Sequence, residues 1–202
     1  MQTQLLDRHG AKPRPMQPLP GGLGLARGRV HEFCGMARRT LAAMVLAESS
    51  GPVIWIGPGW QAERLFPDGL RRFADPGRLI FATARRPEDL LWSMEEALRS
   101  GAAPLVLADL TAPPGLTPVR RLQLACEAGA EAARRAGRPA PLGLMLTPGG
   151  GGAAGVDSRW ALAPAPEGAW RLDRLRARTD PPASWHLAED AGRRLALAPV
   201  PA

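Results

Sequence analysis

The sequence predicts an α/β domain in which helices flank a mostly parallel sheet and antiparallel strands are added near the C-terminus. Short apolar runs alternate with helical patterns from residue 30 to residue 146. Two of these runs, 105–108 and 142–146, are almost entirely apolar, which is typical of strands buried on both faces of a sheet. Beyond residue 155, two strand patterns at 160–163 and 170–178 have no helical pattern between them, which favours antiparallel pairing.

The elements of the parallel part follow in order along the chain. Strands are predicted at 30–33, 53–56, 79–82, 105–108 and 142–146, and helices at 39–49, about 63–73, 87–100 and 117–136. The second helix is interrupted near Pro67. Pro87 suits the first position of the third helix, Glu88 lies at the positive end of its dipole, and Gly101 ends it. Thr117 is predicted to cap the fourth helix.

The chain is predicted to form one domain at residues 25–190, and 202 residues are enough to bury a core. Prolines and glycines are dense at residues 1–24, which predicts an extended N-terminal lead-in. Residues 191–202 are predicted to be a C-terminal tail. The four glycines at 149–152 are expected to make the segment around them mobile.

The composition excludes some classes of protein and leaves others open. The net charge is +7, and Lys12 is the only lysine among 26 basic residues. Arginine suits phosphate and carboxylate partners, but the abundance of Ala, Gly and Pro is also typical of a GC-rich coding bias. Cys34 and Cys126 lie far apart and form no C-x-x-C motif, so no metal site is expected. No run of about 18 apolar residues and no signal-peptide core occur, which predicts a cytoplasmic protein.

The turn after the first predicted strand lies where a phosphate-binding loop belongs. A working loop has the pattern G-x-x-x-x-G-K-[ST], whose backbone N–H groups wrap the phosphates. Counted from Gly35, the required Gly, Lys and Ser/Thr fall at positions 40–42, and none matches. Aligned from its far end, the loop has Arg39 for the lysine and Thr40 for the hydroxyl, but Arg38 replaces the second glycine. This loop is two residues short, so we expect no nucleotide cofactor, although Arg39 holding an anion stays an alternative.

Several segments resemble the RecA fold and, within it, the ImuA family of bacterial translesion-synthesis accessory proteins. The resemblance covers about residues 20–190. Its most specific part is 77–101, which resembles the third strand and following helix of RecA. Residues 25–32 resemble the family's approach to its first strand, and 158–185 contains segments that resemble the late strands.

The resemblance implies roles for individual positions. Glu88 falls on the position of RecA's water-activating glutamate, and Asp109 on that of its magnesium-associated aspartate. Residues 149–152 take the place of a DNA-binding loop but carry no basic or aromatic side chain. Because the phosphate loop is degenerate, we expect Glu88 to act only as a helix-start residue and Asp109 as a strand-end residue.

The resemblance also implies a function and partners. The chain is expected to be a non-catalytic partner of an ImuB-like inactive Y-family polymerase homologue and an error-prone DnaE-type polymerase in SOS mutagenesis, associated with the nucleoid when active. RecA or a second copy are further candidate partners, and any DNA contact is expected to be indirect. The alternatives are a SulA-like inhibitor of cell division, an ATPase with an atypical loop, and a basic protein that binds DNA directly.

The last predicted strand carries a row of arginines. Arg174, Arg176 and Arg178 alternate along it and would repeat about every 6.6 Å on one face. This spacing is comparable with that of nucleic-acid phosphates, so the row is a candidate partner or nucleic-acid surface. A solvated edge strand, protected by its charges from pairing with other chains, is the alternative.

Overall fold

The computed structural model describes residues 15–61, 65–189 and 195–200. The helices, in chain order, are α1 (Arg38–Ala47), α2 (Pro67–Leu70), α3 (Pro87–Ser100) and α4 (Leu116–Arg135). The strands are β1 (Met16–Pro18), β2 (Gly24–Ala26), β3 (Val30–Cys34), β4 (Val53–Pro58), β5 (Leu79–Ala84), β6 (Leu105–Asp109), β7 (Leu142–Leu146), β8 (Ser158–Pro164), β9 (Trp170–Ala177), β10 (Ala183–Glu189) and β11 (Leu195–Pro199).

Nine strands form one sheet in the order β11-β10-β9-β8-β3-β7-β6-β4-β5. The six strands from β8 to β5 in this order are parallel to their neighbours. Strands β9, β10 and β11 are each antiparallel to the strand before them. β1 and β2 pair with each other in a separate antiparallel ribbon. The predicted α/β class, with a mostly parallel sheet and antiparallel strands near the C-terminus, is confirmed.

Each face of the parallel part of the sheet carries helices. Helix α1 packs on one face through buried side chains such as Leu41 and Met44, which meet Phe33, Trp55 and other apolar residues of the strands. Helices α3 and α4 cover the other face and share a second core cluster with the strands. No helix in the part of the chain that the structure describes is long and apolar enough to cross a bilayer.

The predicted strands of the parallel part are confirmed, most of them extended by one or two residues. Helix α2 is shorter than predicted, and residues 62–64 lie outside the described part of the chain. The predicted Thr117 cap is wrong, because Gly115 holds the cap position and Thr117 lies inside the first turn of α4. Pro118 is still accommodated, because N–H groups in the first turn have no helical partner to lose.

The two ends of the described chain are more structured than the sequence predicted. Within the predicted lead-in, residues 16–18 form β1, and residues 1–14 lie outside the described part. Within the predicted tail, residues 195–199 form β11, which pairs with β10. Pro199 is tolerated there because it ends a strand at the edge of the sheet.

Candidate functional site

The loop between β3 and α1 is closed by bonds to the chain's own backbone. Gly35 has a φ of +85°, and a Cβ there would lie 2.7 Å from the Leu162 carbonyl oxygen, so this position requires glycine. The Gly35 N–H donates to the carbonyl of Gly149 at 2.8 Å, and the Ala37 N–H donates to that of Leu162 at 3.0 Å. Two N–H groups of the kind that a working loop offers to phosphate are therefore already bonded within the protein.

The arginines of this loop meet the strand-end aspartate. Arg39 Nε lies 2.6 Å from Asp109 Oδ2, and Arg38 Nη2 lies 3.9 Å from Asp109 Oδ1. The Asp109 carboxylate is buried at the end of β6, two strands away from β3. The predicted role of Asp109 as a plain strand-end residue is therefore incomplete, because its carboxylate binds the arginine that replaces the lysine of the loop.

The structure brings together only some of the residues that the sequence singled out. Gly35, Arg38, Arg39 and Asp109 lie at the carboxyl ends of the strands, and Thr40 is half-buried in the first turn of α1. Glu88 instead lies exposed in the first turn of α3, where its carboxylate is 3.5 Å from Arg86. The helix-start position predicted for Glu88 is confirmed.

An apolar pocket of about 220 Å³ lies beside the Arg39–Asp109 pair. Trp55 of β4, Leu65 and Phe81 of β5 are among its lining residues. Phe81 and the neighbouring Phe66 are large apolar side chains that are more than half exposed. Sequence reasoning missed this pocket, because its walls come from separate segments and only the strand order brings them together.

A buried carboxylate holds the glycine-rich segment in place. Glu32, on β3, has no exposed surface and accepts hydrogen bonds from Thr147 Oγ1 at 2.7 Å and from the N–H groups of Gly152 and Ala153 at 2.9 and 3.1 Å. Its second oxygen lies 2.5 Å from Arg159 Nε. The segment predicted to be mobile is thus anchored at its end. The sequence signal was a glutamate inside an apolar strand, since such a buried charge needs partners.

A second buried polar chain joins β3 to β8. His31 Nδ1 lies 2.7 Å from Ser158 Oγ, which accepts a hydrogen bond from Trp160 Nε1, and His31 Nε2 lies 3.0 Å from the Ala26 carbonyl. The consistent arrangement is a neutral imidazole whose Nε2–H donates to Ala26. Burial lowers the pKa of His31 and favours this neutral form.

Both cysteines are buried thiols. Burial raises the pKa of Cys34 to about 11 and that of Cys126 to about 12. Each sulfur faces backbone carbonyl oxygens, that of Trp160 for Cys34 and those of Arg29 and Pro141 for Cys126. At neutral pH both therefore stay protonated and pack as small apolar side chains.

The predicted arginine row on β9 is broken. The strand lies between β8 and β10, so the interpretation as an edge strand is wrong. A bulge pairs Trp160 with Arg174 and Arg159 with Arg176, which leaves Leu175 unpaired and turns Arg174 and Arg176 to opposite faces. The Arg174 guanidinium lies 5.6 Å from the Trp160 ring and is only 13% exposed. The three arginines therefore do not form a regular row on one face of β9. The sequence pattern could not predict this, because strict alternation contains no sign of the bulge.

Comparison with known proteins identifies relatives of this chain. It is 33% identical over 209 aligned residues to Protein ImuA from two strains of Caulobacter vibrioides, and the match covers 86% of this chain and 80% of each relative. Among solved structures, SulA from Pseudomonas aeruginosa aligns with a TM-score of 0.44 and 21% identity, covering 59% of this chain and 98% of SulA. No protein-family model matches the chain.

Proposed function

The chain belongs to the ImuA family, and from this premise we propose that it is a non-catalytic, RecA-like accessory protein of an error-prone translesion DNA synthesis complex. It works through contacts with an ImuB-like inactive polymerase homologue and a DnaE-type polymerase, in the cytoplasm and at damaged DNA in the nucleoid. It carries out no nucleotide chemistry of its own, and its contact with DNA is indirect.

The observation that carries this proposal is the Arg39–Asp109 ion pair. The basic group that would meet a terminal phosphate is bound to the carboxylate that would associate with magnesium, with 2.6 Å between Nε and Oδ2. Each residue thus satisfies the charge of the other without a nucleotide. The N–H groups of Gly35 and Ala37, which are bonded to carbonyl oxygens, support the same conclusion.

The surroundings of this ion pair favour a protein partner. Phe66 is 69% exposed and Phe81 is 55% exposed, and Phe81 lines the pocket next to Arg39 and Asp109. Strand β5 is also the edge of the sheet, so its outer N–H and C=O groups have no strand partner among the described residues. Exposed aromatic side chains beside an open strand edge are typical of protein-binding surfaces.

The absence of nucleotide chemistry is tested by equilibrium binding of a fluorescent ATP analogue, with and without magnesium. We expect no saturable binding by the unaltered chain. Asp109→Ala, which removes the carboxylate that contacts Arg39, is expected to bind no better, because the N–H groups of Gly35 and Ala37 stay bonded to the protein. Saturable micromolar binding that Arg39→Ala abolishes would contradict the proposal and favour an ATPase with an atypical loop.

The protein contact is tested by capture of partners from DNA-damaged cells. Phe81→Ser is expected to lower recovery of the ImuB-like and DnaE-type subunits by about tenfold or more, since a central aromatic contact is worth about 2 kcal/mol. Ile80→Ser is the matched control, because Ile80 is a neighbour of similar exposure that points to the opposite face of β5.

Recovery of the polymerase subunits by the unaltered chain is the outcome that supports the proposal. Recovery of the cell-division protein FtsZ without a polymerase subunit would overturn it and favour the SulA-like alternative. Circular dichroism and thermal melting of each variant exclude loss of the fold as the cause of a change in recovery.

A further inference from the structure

A groove of about 520 Å³ runs beside the first half of α4 and is bounded on its other side by the end of β9. It is lined by Arg120 of α4, by Arg176 of β9 and by Arg178, which directly follows β9, and we name it the arginine groove after these three residues. All three are exposed, and none of their side chains makes a hydrogen bond or ion pair with another described residue. The groove is separate from the Arg39–Asp109 pair, which is formed by other residues.

These unpaired guanidinium groups contrast with most of the other exposed arginines. Arg72 pairs with Glu189, and Arg134 and Arg135 both pair with Glu131. Within the described ranges, the other exposed arginines without a side-chain contact are Arg85 and Arg138. Three uncompensated positive charges around one groove repel each other, so packing alone does not explain their placement.

The carboxylates in the groove do not neutralise these three arginines. Glu127 and Asp157 line the groove, but both contact Arg29, whose side chain is 15% exposed. Arg29 Nε is buried and makes no hydrogen bond in the structure, so its positive charge is balanced only by the carboxylates near it. With Arg29 shared between the two carboxylates, the four arginines and two acids that line the groove leave it with a net positive charge.

Apolar side chains flank the positive charge. Leu116, Arg120 and Leu124 are spaced by four residues on α4 and so share one helix face. Leu116 is 43% exposed and Leu124 is 65% exposed. The groove extends along α4 from Leu116 to Glu127, which is about 16 Å of helix and the length of about five residues of extended chain. This face of α4 offers an apolar, a cationic and an apolar contact in succession.

We propose that the arginine groove binds a short acidic segment of a partner protein in which carboxylates alternate with apolar side chains. Carboxylates match the guanidinium groups of Arg120, Arg176 and Arg178. Apolar side chains match Leu116 in the groove and Leu124, which lies beside it on the same face of α4. A nucleic-acid backbone fits less well, because it offers no apolar side chains to match the leucines. The inference deepens the proposed function, on which it rests, by naming the chemistry of one partner contact.

The experiment uses the full chain and a fluorescein-labelled peptide in which Asp-Glu pairs alternate with leucines, followed by fluorescence anisotropy. Each of Arg120→Gln, Arg176→Gln and Arg178→Gln is expected to weaken binding about fivefold, and the triple variant about a hundredfold. Leu124→Ala is expected to weaken it about threefold. Arg138→Gln and Arg85→Gln, which remove unpaired arginines outside the groove, are the matched controls and are expected to bind like the unaltered chain.

Failure of the peptide to bind, or binding that the triple variant leaves unchanged, would overturn the proposal. A labelled oligothymidylate in the same assay provides the second arm, and the proposal falls if the oligonucleotide binds through these arginines and the peptide does not. The result is distinguishable from failure of the proposed function, because capture of the polymerase subunits through Phe81 is measured separately. Each variant is first shown to melt like the unaltered chain.

Discussion

Replacement of Gly129 by alanine is expected to lower the free energy of unfolding by more than about 3 kcal/mol. The same change inside an exposed helix normally stabilises it by about 1 kcal/mol, because alanine is the better helix former. Gly129 lies in α4, where a Cβ would stand 1.8 Å from the carbonyl oxygen of Leu98 in α3. Gly101, which ends α3, also lies against the backbone of α4: a Cβ added at Gly101 would stand 2.3 Å from the Gly129 carbonyl oxygen.

Whether Gly129→Ala lowers or raises the free energy of unfolding shows whether the two helix backbones are in contact. The two helices share a core cluster through Met94, Leu98, Leu122 and Cys126, so separating their backbones to admit a methyl group also opens that core. Urea unfolding measures the change. Gly150→Ala is the control, because a Cβ there meets no atom within 4 Å, and its effect is expected to stay within about 0.5 kcal/mol. A stabilised Gly129→Ala variant would show that α3 and α4 do not touch through their backbones.

Most of the parallel sheet could be predicted because each of its strands has a recognisable pattern in its own short segment of sequence. A run such as 142–146 is apolar over a length that suits a buried strand, and the prolines and glycines near it mark its ends. The contact between Gly101 and Gly129 could not be predicted in this way, since it exists only where two separate helices cross. β11 was missed for a related reason, because its pairing with β10 stabilises a segment that ends in proline.

The candidate site was predictable in its residues and not in its contacts. The loop motif identified Arg39 and the resemblance to RecA identified Asp109, but their pairing depends on the order β3-β7-β6, which brings the end of β6 near the loop after β3. The face of Arg174 was mispredicted because simple alternation ignores the bulge at Leu175. RecA-like detail and the domain boundaries at residues 25 and 190 stay predictions.

Replacement of Glu32 by alanine is expected to lower the free energy of unfolding by about 3–5 kcal/mol, since it leaves a buried partner charge without its counter-ion. Arg159, 18% exposed, would lose the carboxylate 2.5 Å from its Nε. Thr147 and the N–H groups of Gly152 and Ala153 would lose their acceptor in the same step. Urea unfolding measures the loss, and Glu131→Ala, which removes an exposed carboxylate with two arginine partners, is expected to change stability little.

Glu32→Gln separates the charge of this side chain from its shape. Glutamine keeps one carbonyl oxygen but turns an amide donor toward groups that are themselves donors, so the variant is expected to lose a large part of the same stability. Amide hydrogen exchange adds a local readout, in which the N–H groups of Gly152 and Ala153 are expected to exchange faster in both variants. The N–H groups of β6 are expected to exchange only through global unfolding, so their rates follow the global free energy of unfolding. Unchanged exchange at Gly152 and Ala153 would mean that the glycine-rich segment is held by other contacts. Faster exchange at these two positions would identify Glu32 as the anchor that turns a run of four glycines into an ordered part of the fold.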